Sequence, residues 1–352
     1  MRRLAHARIP DILLAGTPFW EPVRVDPSMT ALGWDSDRER QFAPLAAAGL
    51  VPARVLAVHR GHVAVHDRDE LAPVAGIMHH RAAEEGQPAL PATGDWVGLE
   101  PGGAVREVLP RRGAIRRGAG RDVEVVAANV DLAILATSLN RELNVRRLER
   151  MLAIAADDGI QTIVLLTKGD LPGDPAATAA GIERQTGAPT IPISVYDGWG
   201  MPALQRHLRP GRTAVVLGSS GVGKSTLVNA LLGEARQRVL EVRTVDDRGR
   251  HATTHRELFP LPGGALLIDT PGVREASLPG ADGVEEAFED VVELAAQCRF
   301  SDCTHASEPG CAVREAVEAG ELEADRVAAY GQLAEEARRF EEAQRRRRAP
   351  RR

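Results

Sequence analysis

Apolar and polar positions alternate differently along two stretches of this chain. From Ala53 to about Arg117 apolar residues recur every second position over short runs, the pattern of half-buried strands. Arg54 to His66 reads as two strands about Gly61, and Val74 to Met78 as a third. Gly94 to Leu99 and Ala104 to Leu109 read as two more. Five short strands in so compact a stretch predict a small β-barrel of OB type.

From Val130 onward the apolar positions gather into continuous runs. Val130–Thr137, Ile160–Leu166, Thr190–Ser194, Ala214–Leu217 and Ala265–Ile268 read as buried strands. Asn144–Asp157, Ala176–Thr186 and Thr226–Leu232 read as helices, with Gly233 as a stop signal. Alternating strand and helix predicts a mainly parallel sheet covered on both faces. Glu241 to Glu257 is polar and reads as a mobile connection, and Glu321 to Gln344 as a closing helix. Residues 1 to about 48 are polar and Pro-rich, with Trp20 and Trp34 as isolated anchors, and read as an arm. The expected organisation is therefore a multidomain α/β chain. It has an N-terminal arm (1–48), an OB-fold RNA-binding domain (49–117), a nucleotide domain (118–284) and a helical module with a basic tail (285–352).

The predicted nucleotide domain contains Gly218-Ser219-Ser220-Gly221-Val222-Gly223-Lys224-Ser225, a match to G-x-x-x-x-G-K-[ST] between a predicted strand and a predicted helix. Successive backbone N–H groups there cradle phosphate oxygens at a helix N-terminus. Lys224 reaches the β- and γ-phosphates, and the Ser225 hydroxyl holds Mg²⁺. Composition adds weight to this match. Of 44 basic residues only Lys168 and Lys224 are lysines. A compact ammonium and a planar guanidinium are not interchangeable in a phosphate cradle, so the two lysines mark positions where arginine does not serve.

Lys168 lies in Thr167-Lys168-Gly169-Asp170, an [NT]KxD match at the end of a predicted strand. Its aspartate accepts from guanine N1–H and the exocyclic amine; adenine leaves that carboxylate unpaired, and such discrimination is large. The lysine stem covers the base. Ser194, after the following strand, falls where the next base-contacting loop belongs. Asp269-Thr270-Pro271-Gly272 fits D-x-x-G, with Asp269 on Mg²⁺ and the Gly272 N–H on the γ-phosphate. The nucleotide-binding set is thus Thr167, Lys168, Asp170, Ser194, Gly218, Ser219, Ser220, Gly221, Val222, Gly223, Lys224, Ser225, Thr226, Asp269 and Gly272. A switch threonine belongs between the last two motifs, at Thr253 or Thr254.

The three cysteines fall within one window as Cys298-x4-Cys303-x-His305-x5-Cys311. Three thiolates and an imidazole form a closed set suited to one tetrahedral structural zinc. Net charge is −5, so any nucleic-acid contact must use local basic patches. Candidates are the barrel's His59, Arg60, His62, His66, Arg68, His79, His80 and Arg81, the stretch Arg111, Arg112, Arg116 and Arg117, and the tail Arg345–Arg348 with Arg351 and Arg352. No apolar run has the length of a membrane span and no leader pattern opens the chain, which predicts a cytoplasmic protein with no membrane partner.

GTPases ordinarily run P-loop, switch threonine, DxxG, [NT]KxD. Here the base motif comes first. With the barrel ahead and the Cys₃His cluster behind, this permuted order resembles the small-ribosomal-subunit-dependent GTPases of the RsgA/YjeQ type, over nearly the whole chain from Ala53. The resemblance implies a circularly permuted P-loop GTPase domain, an OB-fold barrel and a zinc-binding helical module. It implies a monomer that binds GTP and GDP with Mg²⁺, and slow hydrolysis of GTP accelerated on the small (30S) subunit and its 16S rRNA during late maturation. Val273 stands where many GTPases place a water-orienting glutamine; the family's proposed substitute, a histidine of the switch, matches His251. His251, Lys224 and Thr253 are the catalytic candidates. A P-loop ATPase, and a nucleotide-dependent RNA-binding scaffold without turnover, are the alternatives.

Overall fold

In the computed structural model the described residues are 29–85, 89–119, 122–140, 143–156, 158–219, 221–233, 256–270, 282–300 and 302–348. The barrel opens with β1 (Val51–His59), β2 (His62–Val65) and β3 (Ala72–Pro73) and closes with β4 (Trp96–Leu99) and β5 (Val105–Val108). Strand β1 pairs with both β2 and β4, β2 with β3, and β4 with β5. A parallel bridge from Val74 to Val105 closes the ring. The inward residues Val55, Val63, Val65, Val97 and Val105 form its core. The expected third strand is corrected: Val74 bridges, but Gly76–Glu85 is a helix. Its Met78, 1% exposed, plugs one end of the barrel. A short apolar run carries no period, so the sequence does not distinguish a strand from a helix that packs on strands.

The expected arm also contains structure. Ser36–Ala47 forms α1, with Pro44 inside it. Asp35 caps it, its carboxylate accepting from the Asp37 and Arg38 N–H groups at 3.1 and 2.9 Å. Trp34 lies edge-on to Phe42 and to Trp96, with ring centroids 5.8 and 4.8 Å apart. These partners come from β4 and from the helix itself, and they offset what Pro44 costs. Trp20 lies outside the described residues.

Two antiparallel strands, β6 (Ala114–Ala119) and β7 (Asp122–Ala128), follow the barrel where the sequence showed only a basic stretch. Those arginines are partnered. Arg111 forms a bidentate pair with buried Asp95, Arg112 binds Asp35 and Asp37, and Arg116 binds Asp158. His66 is likewise buried, its Nδ1 accepting from the Arg54 backbone N–H at 2.8 Å. The barrel's basic sequence is in part its internal bonding.

The α/β domain comprises β8 (Leu132–Ser138), α3 (Val145–Ala156), β9 (Gln161–Thr167), α4 (Pro175–Thr186), β10 (Thr190–Pro192), α5 (Met201–Gln205), β11 (Thr213–Leu217), α6 (Lys224–Leu232), β12 (Glu257–Pro260) and β13 (Leu266–Asp269). The sheet runs β10-β9-β8-β11-β13-β12, parallel except for β12. A pair between Ala57 and Glu257 joins β12 to β1, so barrel and sheet are continuous. The chain moves outward from β8 to β9 and β10, then returns to lay β11 on the other side. That reversal between β8 and β11 is where such sheets bind ligands.

Four helices close the chain: α7 (Asp282–Ala287), α8 (Glu289–Ala295), α9 (Ala312–Glu318) and α10 (Ala324–Arg348). Val284, Phe288, Val291, Leu333 and Ala337 share one apolar core with Leu148, Met151 and Leu152 of α3. Three ion pairs tie α3 to α10: Arg146–Asp325, Glu149–Arg326 and Arg150–Glu336, at 3.1, 3.4 and 2.6 Å. Arg326 also forks onto Asp290 and lies over the Phe288 ring. Burial pushes the Glu149 carboxyl up to about 7, against the pull of Arg326.

Asp35 both caps α1 and binds Arg112. The hydrogen bond from Arg112 holds its carboxyl well below the usual range. A depressed folded-state pKa contributes stability above the unfolded value of 3.8, lost as pH falls through the folded one. Asp35→Ala is expected to cost about 1–2 kcal/mol in urea unfolding at pH 7. Asp35→Asn keeps a capping oxygen and should cost less, and its gap to wild type should narrow as the pH is lowered below 4. A gap that stays constant with pH would contradict this role for the carboxylate.

Candidate functional site

The C-terminal ends of β8, β9, β11 and β13 lie along one edge of the sheet. Register sets Ser138 beside Thr167, Leu217 beside Leu135, and Val216 beside Asp269. The P-loop turn after β11 comes very close to β8: a Cβ on Gly218 would lie 2.3 Å from the Ala136 carbonyl oxygen, and its φ is +150°. Only glycine permits that approach. Gly223, at φ +97°, precedes α6 with no side-chain cap, so the first N–H groups of that helix remain available to an anion. Lys224 is buried, its ammonium donating to the Gly218 and Ser219 carbonyls at 2.7 and 2.6 Å. Ser225 and Thr226 face solvent.

The base motif meets the P-loop through one hydroxyl. Buried Thr167 Oγ1 contacts Val222 O and Thr137 O at 2.5 and 2.9 Å, with a single proton to share between them. Lys168 takes the left-handed conformation at φ +59°, uncommon for a side chain that is not Gly, Asn or Asp. Asp170 is exposed. Ser194 is fully buried, and its Oγ reaches Asp170 Oδ1 at 3.3 Å and Asp197 Oδ2 at 2.8 Å. The Asp197 N–H donates back to the same hydroxyl. The two base-side loops are thus bonded to each other. Asp269, 6% exposed, ends β13 beside the P-loop strand, and the neighbouring Thr270 hydroxyl donates to Val216 O at 2.8 Å.

So Thr167, Lys168, Asp170, Ser194, Gly218, Ser219, Gly221–Thr226 and Asp269 gather at one edge. Ser220, His251, Thr253, Thr254 and Gly272 lie outside the described residues. Three residues here were missed from sequence. Asp197 shares the Ser194 hydroxyl. Trp199 walls the base motif. Arg147 of α3 donates to Ser219 Oγ at 3.0 Å. The Ser-x-x-Asp spacing of 194 and 197 was a readable turn signal; nothing local pointed to Arg147.

The Cys₃His cluster sits in the loop between α8 and α9. The four ligand atoms all lie within 4.8 Å of one another. Cys298 Sγ is 3.9 Å from Cys311 Sγ and 3.6 Å from His305 Nδ1, and Cys311 Sγ is 3.5 Å from that nitrogen. Zinc bonds of about 2.3 Å to sulfur and about 2.0 Å to nitrogen give tetrahedral edges of about 3.8 and 3.5 Å. The cage therefore fits a tetrahedral metal ion. Glu308 shapes the loop by accepting from the Thr304, Ala306 and Ser307 N–H groups, and the hydrogen bond from the Thr304 hydroxyl, with these N–H groups, holds its carboxyl down to about 2.

A model of the RsgA GTPase family matches residues 108–279. The small ribosomal subunit biogenesis GTPase RsgA of Streptomyces coelicolor is 44% identical over 326 residues, spanning 89% of this chain and 87% of that relative. The chain belongs to the RsgA GTPase family. That of Opitutus terrae is 44% identical over 330 residues, spanning 88% and 89%. Among solved structures, YjeQ from Thermotoga maritima covers 84% of this chain and 99% of its own at 27% identity, with a TM-score of 0.57. YloQ, described as a circularly permuted GTPase, covers 86% and 97% at 25% identity with the same score. Membership makes the chain a GTPase with the permuted fold expected from the motif order, and places it among ribosome-biogenesis GTPases.

The variable residue of the base motif is sterically determined. A Cβ on Gly169 would lie 2.4 Å from the Trp199 ring and 3.0 Å from Ile193 O. Gly169→Ala is expected to displace that ring and cost about 1–3 kcal/mol. Adding Trp199→Ala should recover most of the loss, measured by urea unfolding with circular dichroism. An unfolding midpoint unmoved by Gly169→Ala would show that the contact is slack.

Proposed function

We propose that this GTPase hydrolyses GTP to GDP and phosphate when docked on the small (30S) ribosomal subunit during its late maturation, as a cytoplasmic monomer that contacts 16S rRNA. The observation that carries the reading is the juxtaposition of a guanine-type base motif and a P-loop, held together by the Thr167 hydroxyl, at the reversal point of the sheet. The named relatives supply the ribosomal setting. No described helix is long and apolar enough to cross a membrane.

Asp170, braced by Ser194, takes the guanine N1–H and amine. Lys168, turned into its left-handed conformation, lays its stem along the base. Lys224 exchanges the Gly218 and Ser219 carbonyls for β- and γ-phosphate oxygens, and the loop N–H groups from Gly221 to Ser225 take the remaining phosphate charge. Ser225 and Asp269 would hold Mg²⁺, which would supply charge neutralisation for the phosphates. His251 and Thr253 complete the site from the switch, His251 orienting the attacking water in place of the glutamine that Val273 is not. Phosphoryl transfer demands positioning and charge neutralisation above all, so a switch ordered by the ribosome suffices as the trigger.

GTP turnover with and without purified small subunits tests this. Turnover should rise on adding subunits, and His251→Ala should remove roughly 100-fold or more of the stimulated rate while leaving GDP binding intact. Asp170→Asn should exchange guanine for xanthine preference. Turnover that subunits fail to raise would favour an RNA-binding scaffold for which nucleotide is a structural ligand.

The Cys298, Cys303, His305, Cys311 cage holds one structural zinc. Metal analysis should find one zinc per chain, lost in Cys303→Ser. Chelation should lower the melting temperature, because metal binding to such a site is folding free energy. A chain that folds with equal stability after exhaustive chelation would contradict a structural role.

A further inference from the structure

Beneath α1, where the barrel meets the α/β domain, lies a pocket of about 210 Å³, lined among others by Arg38, Arg54, Trp96, Asn129, Arg212 and Thr213. It is remote in the fold from the P-loop edge, since Thr213 begins β11 and the P-loop follows its other end. Arg38 and Arg54 are 1% and 2% exposed. Neither guanidinium touches a carboxylate among the described residues. Arg38 donates to Gln41, Pro110 O and Asn129, and Arg54 to Leu32 O and Thr213 Oγ1. Asp35 and Asp131 also line the pocket, but each is paired with another lining arginine, Asp35 with Arg112 and Asp131 with Arg212, and Asp95 is paired with Arg111. Burying two like charges without a counter-anion is costly. Desolvation lowers both groups, aided by repulsion from Arg38 at Arg54 and from Arg112 at Arg38, to about 9 for Arg54 and about 10 for Arg38, which leaves both cationic at neutral pH.

Two buried donors that line the same pocket also lack an acceptor among the described residues, Arg54 Nε and Trp96 Nε1. Trp96 is wholly buried and lies 4.9 Å below the Arg54 guanidinium. Buried N–H groups are nearly always paired. One occupant answers both deficits, the excess positive charge and the unmatched donors: a small anion rich in acceptors.

We propose that this pocket binds a small oxyanion of the phosphate class, with Arg54 and Trp96 as donors and Arg38 completing the positive field. The site joins arm, barrel and α/β domain, so an occupied pocket would fasten the three together.

The test uses the full chain saturated with GDP and Mg²⁺, so that the P-loop is filled. Inorganic phosphate is titrated against chloride at matched ionic strength while the Trp96 indole N–H resonance is followed, assigned by elimination with Trp20→Phe, Trp34→Phe and Trp199→Phe. A saturable shift with phosphate and none with chloride is expected. A short single-stranded RNA forms the second arm; a shift with RNA but not with free phosphate would identify the oxyanion as a backbone phosphodiester at the same site. Arg54→Gln should weaken binding at least tenfold, and Arg212→Ala, at the exposed rim, should weaken it severalfold because it leaves the Asp131 carboxylate of the pocket wall unpaired. No saturable shift from either phosphate source, equal shifts with chloride, or unchanged binding in Arg212→Ala together with any folded Arg54→Gln would overturn the proposal.

Discussion

The molecule depends on the burial of α3 from two sides. One face of this helix covers the strands that carry the base motif; the other receives α7 and α10 of the C-terminal module. Its arginines divide the labour. Arg146 and Arg150 bind α10, while Arg147 reaches the P-loop serine. Exposed pairs of this kind contribute little individually. The buried Glu149–Arg326 contact differs, because removing one partner strands the other in a dry interface. That contact therefore specifies how the module docks more than how tightly.

Permutation explains why α3 occupies this position. Moving the base motif ahead of the P-loop makes β8 and α3 the first unit of the domain, and the DxxG end of β13 the last. In sequence the chain then continues into helices, the first of which packs on α3. The zinc-type cage thus connects to the nucleotide edge along the chain from β13 and, through space, by way of α3. The contact to the P-loop serine and the ion pairs to the C-terminal module thus meet on one helix.

Much of the site was legible because its chemistry is local. A phosphate cradle needs glycines at fixed offsets, a closed metal site needs four ligands in one window, and a base-reading carboxylate must follow a strand. The scarcity of lysine sharpened these signals, since only two positions kept it. What was not legible depends on distant partners. Helix α1 breaks propensity with Pro44 and survives on Trp96, more than fifty positions along the chain. The β6–β7 hairpin hid inside a basic stretch because its arginines answer Asp95, Asp35 and Asp158, which no spacing rule connects to them. Trp199 was silent because its role is to exclude a side chain from Gly169.

The same arginines bear on which positive charges an acidic chain has left to offer a nucleic acid. Sequence alone assigns the barrel a basic face, yet Arg54, Arg111, Arg112 and Arg116 are drawn into its joints, and His66 into its core. An arginine already forked onto a carboxylate offers a phosphate little net charge, since its pair is neutral as a unit. Attraction to a phosphate backbone must come from cations that lack such partners, and it will weaken as salt rises. Helix α10 carries Arg345–Arg348 at its described end. That basic helix end belongs to the helix paired with α3, whose Arg147 reaches the P-loop serine.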